Sequence, residues 1–116
     1  MNNKVIALSN ELALNLPDLK TQDFRLFMYI LYRVSNDKPL IINNKIDISV
    51  ADFKPYFTSN VSKKQIVEHL FKLQAKTKQF LDNIEFHAED DIAQITITQL
   101  LYQNVGISYW DKLINQ

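Results

Sequence analysis

The side chains best suited to acid–base or metal chemistry are two adjacent carboxylates, Asp90 and Asp91, and two histidines, His69 and His87. Proton transfer and cation binding need several such groups at one site. Asp90 and Asp91 lie between two segments of alternating polarity, where aspartate commonly forms a turn. His69 lies within a predicted helix and has no histidine or acid four residues away, and His87 lies in a predicted strand, so neither fits a helical zinc site. We therefore predict no catalytic residue, no metal site and no cofactor, and we expect a protein that is not an enzyme.

Composition excludes several further classes of protein. The absence of cysteine excludes disulfides and thiolate metal sites. A single glycine, Gly106, is too few for a glycine-rich phosphate loop. A length of 116 residues suits one domain. No segment has the pattern of a signal peptide or the apolar length of a membrane span, so we expect a cytoplasmic protein without a membrane partner.

The charges are unevenly distributed, although the formal net charge is zero. Residues 61–80 carry one acid, Glu68, and five lysines, which are Lys63, Lys64, Lys72, Lys76 and Lys78. Residues 81–91 carry five acids and no lysine or arginine. Such a division can give a neutral protein one basic face. A solvated helix followed by a solvated turn would explain the same pattern, and both interpretations stay open.

The lysine-rich segment has the start signal of a helix. Ser62 followed by Gln65 is a capping box, and apolar residues then recur at helical spacing to about Gln79. Residues in the first turn of such a helix can reach phosphates or base edges in a DNA major groove. The predicted DNA-binding residues are Ser62, Lys63, Lys64, Gln65, Lys72 and Lys76. The alternative is that the lysines only keep the helix soluble, and both roles are compatible.

An earlier helix begins at Thr21 and has an unusually wide apolar surface. One predicted stripe contains Phe24, Phe27, Met28, Leu31 and Val34. Leu26, Tyr29 and Ile30 form a second stripe on a neighbouring face. A helix that is apolar this far around is either central or lies at a protein interface. We predict that Leu26, Tyr29 and Ile30 form the interface of a homodimer.

The remaining segments complete an α+β pattern. Residues 4–8 read as extended and residues 10–14 as a helical turn. Short strands are predicted at 40–42 and 46–48, a short helix starts at Ser49 and contains Pro55, and residues 84–88 and 93–97 form a β-hairpin. A last helix opens at Ser108. Helix, strand, short helix, longer helix and hairpin in this order predict a winged helix-turn-helix, one domain over residues 1–116.

The sequence resembles the first winged-helix domain of iteron-binding plasmid replication initiators. The resemblance begins with Asn10-Glu11-Leu12, Leu16-Pro17 and Leu19-Lys20-Thr21, and includes the helix from Phe24 to Ile30. It continues through Ile48-Ser49 into residues 50–53, and through Phe80-Leu81 into Ile84-Glu85-Phe86. The resemblance implies dimerisation and mainly backbone contacts to the repeated DNA of a replication origin, with other replication proteins as further possible partners.

Two features depart from that family. Its members carry a second winged helix that reads the DNA sequence, and we expect none within these residues. The acidic segment Glu89-Asp90-Asp91 is unsuited to gripping phosphates, so we expect this wing to avoid DNA. Two alternatives stay open: a winged helix that binds only another protein, and a small transcription regulator. Salt-dependent DNA binding would exclude the first.

Overall fold

A computed structural model describes residues 7–8, 19–37 and 41–106 of the chain. The strands are β1 (Ala7–Leu8), β2 (Lys45–Ser49), β3 (Leu81–His87), β4 (Ile92–Ile97) and β5 (Val105–Gly106). The α-helices are α1 (Thr21–Asp37), α2 (Lys63–Lys76) and α3 (Gln99–Asn104). A 3₁₀ helix spans Val50–Tyr56. The predicted α+β class is confirmed, and none of the helices in the described residues is long and apolar enough to cross a membrane.

Three strands form an antiparallel sheet in the order β2-β4-β3. The predicted hairpin is confirmed, with Ile84 opposite Ile95 and Phe86 opposite Ala93. Alternation of apolar and polar residues turns one face toward the core, where Ile48, Ala93 and Ile95 are buried. The Asp90-Asp91 pair lies in the hairpin turn, and Asp91 takes a left-handed backbone conformation with φ 52°. The turn assignment made from sequence is therefore confirmed.

Helix α1 contributes one side of the core. Its fully buried residues recur at helical spacing and are Leu26, Phe27, Ile30, Leu31 and Val34. The prediction that Leu26 and Ile30 lie in a dimer interface is wrong, because neither side chain is accessible in the folded chain. Phe24, which was expected to face inward, is 45% exposed. The buried face thus takes Phe27, Leu31 and Val34 from one predicted stripe and Leu26 and Ile30 from the other.

The 3₁₀ helix and α2 complete that core. Pro55 lies within the 3₁₀ segment, in keeping with the predicted short helix. Phe53 is buried from this segment, and Ile66, Leu70 and Leu73 are buried from α2. Thr77 directly follows the last residue of α2 and is buried. Its hydroxyl donates to the Leu73 carbonyl at 2.8 Å.

Two short strands form a second, two-stranded sheet. Strand β1 pairs antiparallel with β5, with Leu8 opposite Val105. Helix α3 was not predicted; it begins after Thr98, whose side-chain oxygen accepts from the Leu101 amide at 3.2 Å. The predicted extended segment at 4–8 is represented by β1. The helical turn at 10–14 and the helix from Ser108 lie outside the described residues.

The start of α2 has the predicted capping box. The Ser62 hydroxyl oxygen accepts from the Gln65 amide at 3.2 Å, and the Gln65 side chain accepts from the Ser62 amide at 2.8 Å. Ser49 precedes the 3₁₀ helix in the same way, but its side chain makes no capping bond. Ser49 and Asp52 therefore have the spacing of a capping box but do not form one.

We expect Ser62→Ala to lower the free energy of unfolding by about 1 kcal/mol, because the Gln65 amide at the start of α2 loses the hydroxyl oxygen that accepts its hydrogen bond. Ser49→Ala is the matched control and should change it by a few tenths at most, since the Ser49 side chain caps nothing. Urea denaturation followed by circular dichroism measures both. Equal losses in the two variants would contradict a stabilising role for the box.

Candidate nucleic-acid interface

The outer face of α2 is an exposed helical surface that carries three of the predicted DNA-binding residues, Lys64, Gln65 and Lys72. Ile66, Leu70 and Leu73 turn inward, which leaves the opposite face to solvent. That face carries Lys64, Gln65, Glu68, Phe71, Lys72 and Ala75. Phe71 is 44% exposed, so an aromatic ring also faces solvent here. The sequence therefore places both charge and an apolar contact on one accessible surface.

Lys64 and Lys72 are the two cations available on this face. Both are exposed, and neither forms an ion pair with any residue that the structure describes. Glu68 lies between them, four residues from each, so two positive charges and one negative charge share the row. The α2 face thus has a small positive excess, suited to contacting phosphates without strong attraction at long range.

Lys63 is already paired within the molecule. Its ammonium donates to the Asp91 carboxylate at 2.5 Å, with both side chains about half exposed (49% and 44%). Asp91 also accepts from the Val50 amide through its backbone carbonyl at 2.9 Å, so it joins the hairpin turn to the 3₁₀ helix. The wing was expected to avoid DNA, yet its Asp91 carboxylate lies beside the first turn of α2.

Lys76 is bound by another carboxylate. Its ammonium donates to Asp23 of α1 at 2.7 Å, and the Asp23 side chain is only 10% exposed. A carboxylate this deeply placed needs a cation, since burying it alone would be costly. Lys76 was predicted to contact DNA, but its geometry shows a bond that connects α2 to α1. Its charge is largely neutralised within the fold.

Ser62 and Gln65 keep hydrogen-bonding capacity beyond the capping box. The Ser62 oxygen accepts from Gln65, which leaves its hydroxyl proton to donate. The Gln65 side-chain oxygen accepts from Ser62, which leaves its amide nitrogen to donate. Donors at a helix N-terminus, where the helix dipole is positive, suit an anion. The structure thus brings four predicted residues to the first turn of α2, one of them already paired.

A second surface, on the outer side of α1, was only partly anticipated. A groove of about 590 Å³ there is lined by Phe24, Met28, Tyr29, Tyr32 and Tyr56. The Tyr29 ring stacks on Tyr56 with centroids 4.5 Å apart and on Tyr32 at 6.3 Å. Gln22 fastens the 3₁₀ helix to α1 by donating to the Tyr56 carbonyl at 2.8 Å. We refer to this surface as the α1 groove.

Two arginines, Arg25 and Arg33, also line the α1 groove. Arg33 donates to the Tyr29 hydroxyl at 3.0 Å and lies 3.4 Å from both Asp37 and Asp52. Burial by itself lowers the pKa of Arg33, but the Tyr29 hydrogen bond and the nearby Asp37 outweigh it and leave the pKa raised. Burial among neighbouring tyrosines likewise raises the pKa of Tyr56. Of the groove residues, Phe24, Met28 and Tyr29 were assigned to the apolar surface of the helix from the sequence, and only Tyr29 was predicted to lie at an interface.

The two histidines lie in different parts of the fold. The His69 ring packs edge-on against Phe57 with centroids 5.3 Å apart, and His87 lies 3.8 Å from Glu85 on the exposed side of β3. Within the described ranges, no group of three or more histidine, aspartate or glutamate residues is arranged to hold a metal ion.

A scan against protein-family models, a search of curated proteins and a search of solved structures each gave no significant match to the chain. The resemblance to replication initiators consequently stays a prediction carried by the sequence motifs. The function is inferred from the geometry of the two surfaces.

Proposed function

We propose that the chain is a winged-helix domain that binds double-stranded DNA through α2, as part of a plasmid replication initiator of the iteron-binding type. The order of elements supports the winged helix: α1, β2, the 3₁₀ helix and α2 are followed by the β3–β4 hairpin. Strand β2 completes the sheet by pairing with β4. In this fold the second helix of the pair, here α2, is the one that enters the major groove.

The observation that carries the proposal is that two lysines of α2 have no ion-pair partner among the described residues. Lys64 and Lys72 are exposed on the same helix and have no carboxylate partner among the described residues. Two such cations, with the donors of Ser62 and Gln65 at the helix start, suit contacts to phosphates. Few of these groups can distinguish one base from another, so binding is weak, tolerant of sequence and dependent on salt.

Lys63 is the third lysine within reach of a duplex placed along α2. Its ammonium has to leave Asp91 before it can contact a phosphate, because that carboxylate now occupies it. Asp91 therefore competes with the phosphate for the same cation. The competition lowers the affinity for DNA without removing any contact on α2, and it gives the acidic turn a measurable effect on binding.

We expect Asp91→Asn to strengthen binding severalfold at low salt and to steepen the slope of log affinity against log salt by about one unit, because Lys63 is released to a phosphate. Asparagine tolerates the positive φ of this position, so the turn is kept. Fluorescence anisotropy of a labelled duplex over a salt series measures affinity and slope.

The matched control is Asp90→Asn, which makes the same change of charge one residue away. Among the described residues the Asp90 side chain forms no ion pair, so its removal should have the smaller effect. Equal affinities and slopes for the two variants would mean that Lys63 does not contact DNA. Absence of binding by the unaltered chain even at low salt would contradict the proposed function itself.

A second candidate function is a protein-interaction module, and the α1 groove is the observation that favours it. An apolar, tyrosine-rich groove flanked by arginines has the composition of protein–protein interfaces. In that case the chain would bind another protein and show no salt-dependent affinity for DNA.

A further inference from the structure

Phe71 presents an aromatic ring on the outer face of α2. The helix buries Ile66, Leu70 and Leu73 on its inner side, whereas Phe71 is 44% exposed. Among the residues that the structure describes, no other aromatic ring packs against it. Single apolar side chains are common on protein surfaces, so exposure alone assigns this ring no function.

The neighbours of Phe71 divide the outer face of α2 into parts of different chemistry. Lys64 lies seven residues earlier, about two turns or about 10 Å along the helix, and Lys72 follows Phe71 directly. Glu68 lies between the two lysines, is exposed and forms no ion pair with any described residue. A phosphate repels this carboxylate and offers the Phe71 ring no apolar contact. The lysines therefore suit phosphates, whereas the middle of the face does not.

A helix in the major groove of DNA meets two kinds of chemical group. Phosphates form the rims of the groove, and the edges of the bases form its floor. A phenylalanine side chain has no hydrogen-bond donor or acceptor, so it can recognise only an apolar group. The C5-methyl group of thymine is the apolar group that the base edges present in this groove.

We propose that Phe71 contacts the C5-methyl group of thymine and gives the domain a preference for A·T-rich duplexes. This inference rests on the proposed function, because the ring reaches a base edge only when α2 lies in the major groove. It adds one base contact to a surface whose lysines suit phosphates. Burying one methyl group corresponds to about a fourfold gain in affinity, so the preference is modest and many sequences are still bound.

Replacing every thymine of an A·T-rich duplex with uracil tests the contact, because this change removes the methyl groups and keeps the phosphates and the base pairing. Fluorescence anisotropy at about 50 mM salt measures the affinity for both duplexes. We expect the unaltered chain to bind the thymine duplex about fourfold more tightly than the uracil duplex. Phe71→Ala should bind the two equally, with an unchanged slope of log affinity against log salt, because no phosphate contact is lost.

Phe24→Ala is the matched control, because it removes the same ring from a position on α1 that is 45% exposed. It should keep the fourfold preference for thymine, and circular dichroism checks that both variants fold. Equal affinities of the unaltered chain for the two duplexes, or a thymine preference that persists in Phe71→Ala, would overturn the inference and leave the proposed function in place. If the unaltered chain binds neither duplex, the proposed function is wrong and this inference is lost with it.

Discussion

Replacing both Lys64 and Lys72 with alanine is expected to weaken binding to every duplex by on the order of a hundredfold at about 50 mM salt. The slope of log affinity against log salt should fall by about two units, because each lysine that contacts a phosphate contributes roughly one. Both side chains are exposed on α2, so the fold should be unaffected. Fluorescence anisotropy over a salt series measures the affinity and the slope.

A double replacement of Lys54 and Lys78 is the matched control for this experiment. Both lysines are exposed, neither lies on α2, and the change of net charge is the same. The control should shift the affinity only slightly, through the overall charge of the chain. If the control and the α2 variant lose affinity equally, the cations act through net charge and α2 is not the DNA-binding surface.

The largest expected loss of stability follows from Phe27→Ala. Phe27 is fully buried in the centre of α1, and its ring lies 5.9 Å from that of Phe80, centroid to centroid. Truncation removes apolar burial and leaves a cavity between α1 and the segment before β3, at a cost of about 3–5 kcal/mol. For a domain of this size that is a large part of the free energy of unfolding, which guanidinium denaturation measures.

Phe71→Ala provides the comparison, because it removes the same ring from a position that is 44% exposed. Its effect should stay below about 1 kcal/mol, since little burial is lost and alanine favours the helix. Similar losses for Phe27 and Phe71 would contradict the assignment of the core to the inner face of α1.

Several elements could be predicted because their sequence signals are local. The β3–β4 hairpin follows from strict two-residue alternation around an acidic turn, and the start of α2 follows from Ser62 and Gln65 at capping spacing. Helix α1 was located correctly, but its inner face was predicted only in part, since Phe27, Leu31 and Val34 are buried and Phe24 is exposed. Apolar residues occupy most of its circumference, so periodicity alone could not distinguish the core positions Leu26 and Ile30 from the exposed Phe24.

Which lysines of the candidate site are already paired depends on contacts between residues that are far apart in the sequence. Lys63 and Asp91 are 28 positions apart, and Asp23 and Lys76 are 53 apart, so no local pattern connects them. Charge counting therefore assigned every lysine of α2 to one basic face, whereas the fold uses two of them in ion pairs. The α1 groove was anticipated only in part for a similar reason, because Tyr56 reaches it from the 3₁₀ helix.

Chemical-shift mapping by NMR tests most directly whether α2 is the surface that binds DNA. An unlabelled duplex is titrated into the ¹⁵N-labelled chain at low salt, and the amide shifts are followed. The account predicts that the largest changes lie in residues 62–76, strongest near Lys64 and Gln65, with a smaller change at Asp91 as Lys63 leaves it. Changes concentrated in the α1 groove around Tyr29 and Tyr32, or no changes at all, would contradict it.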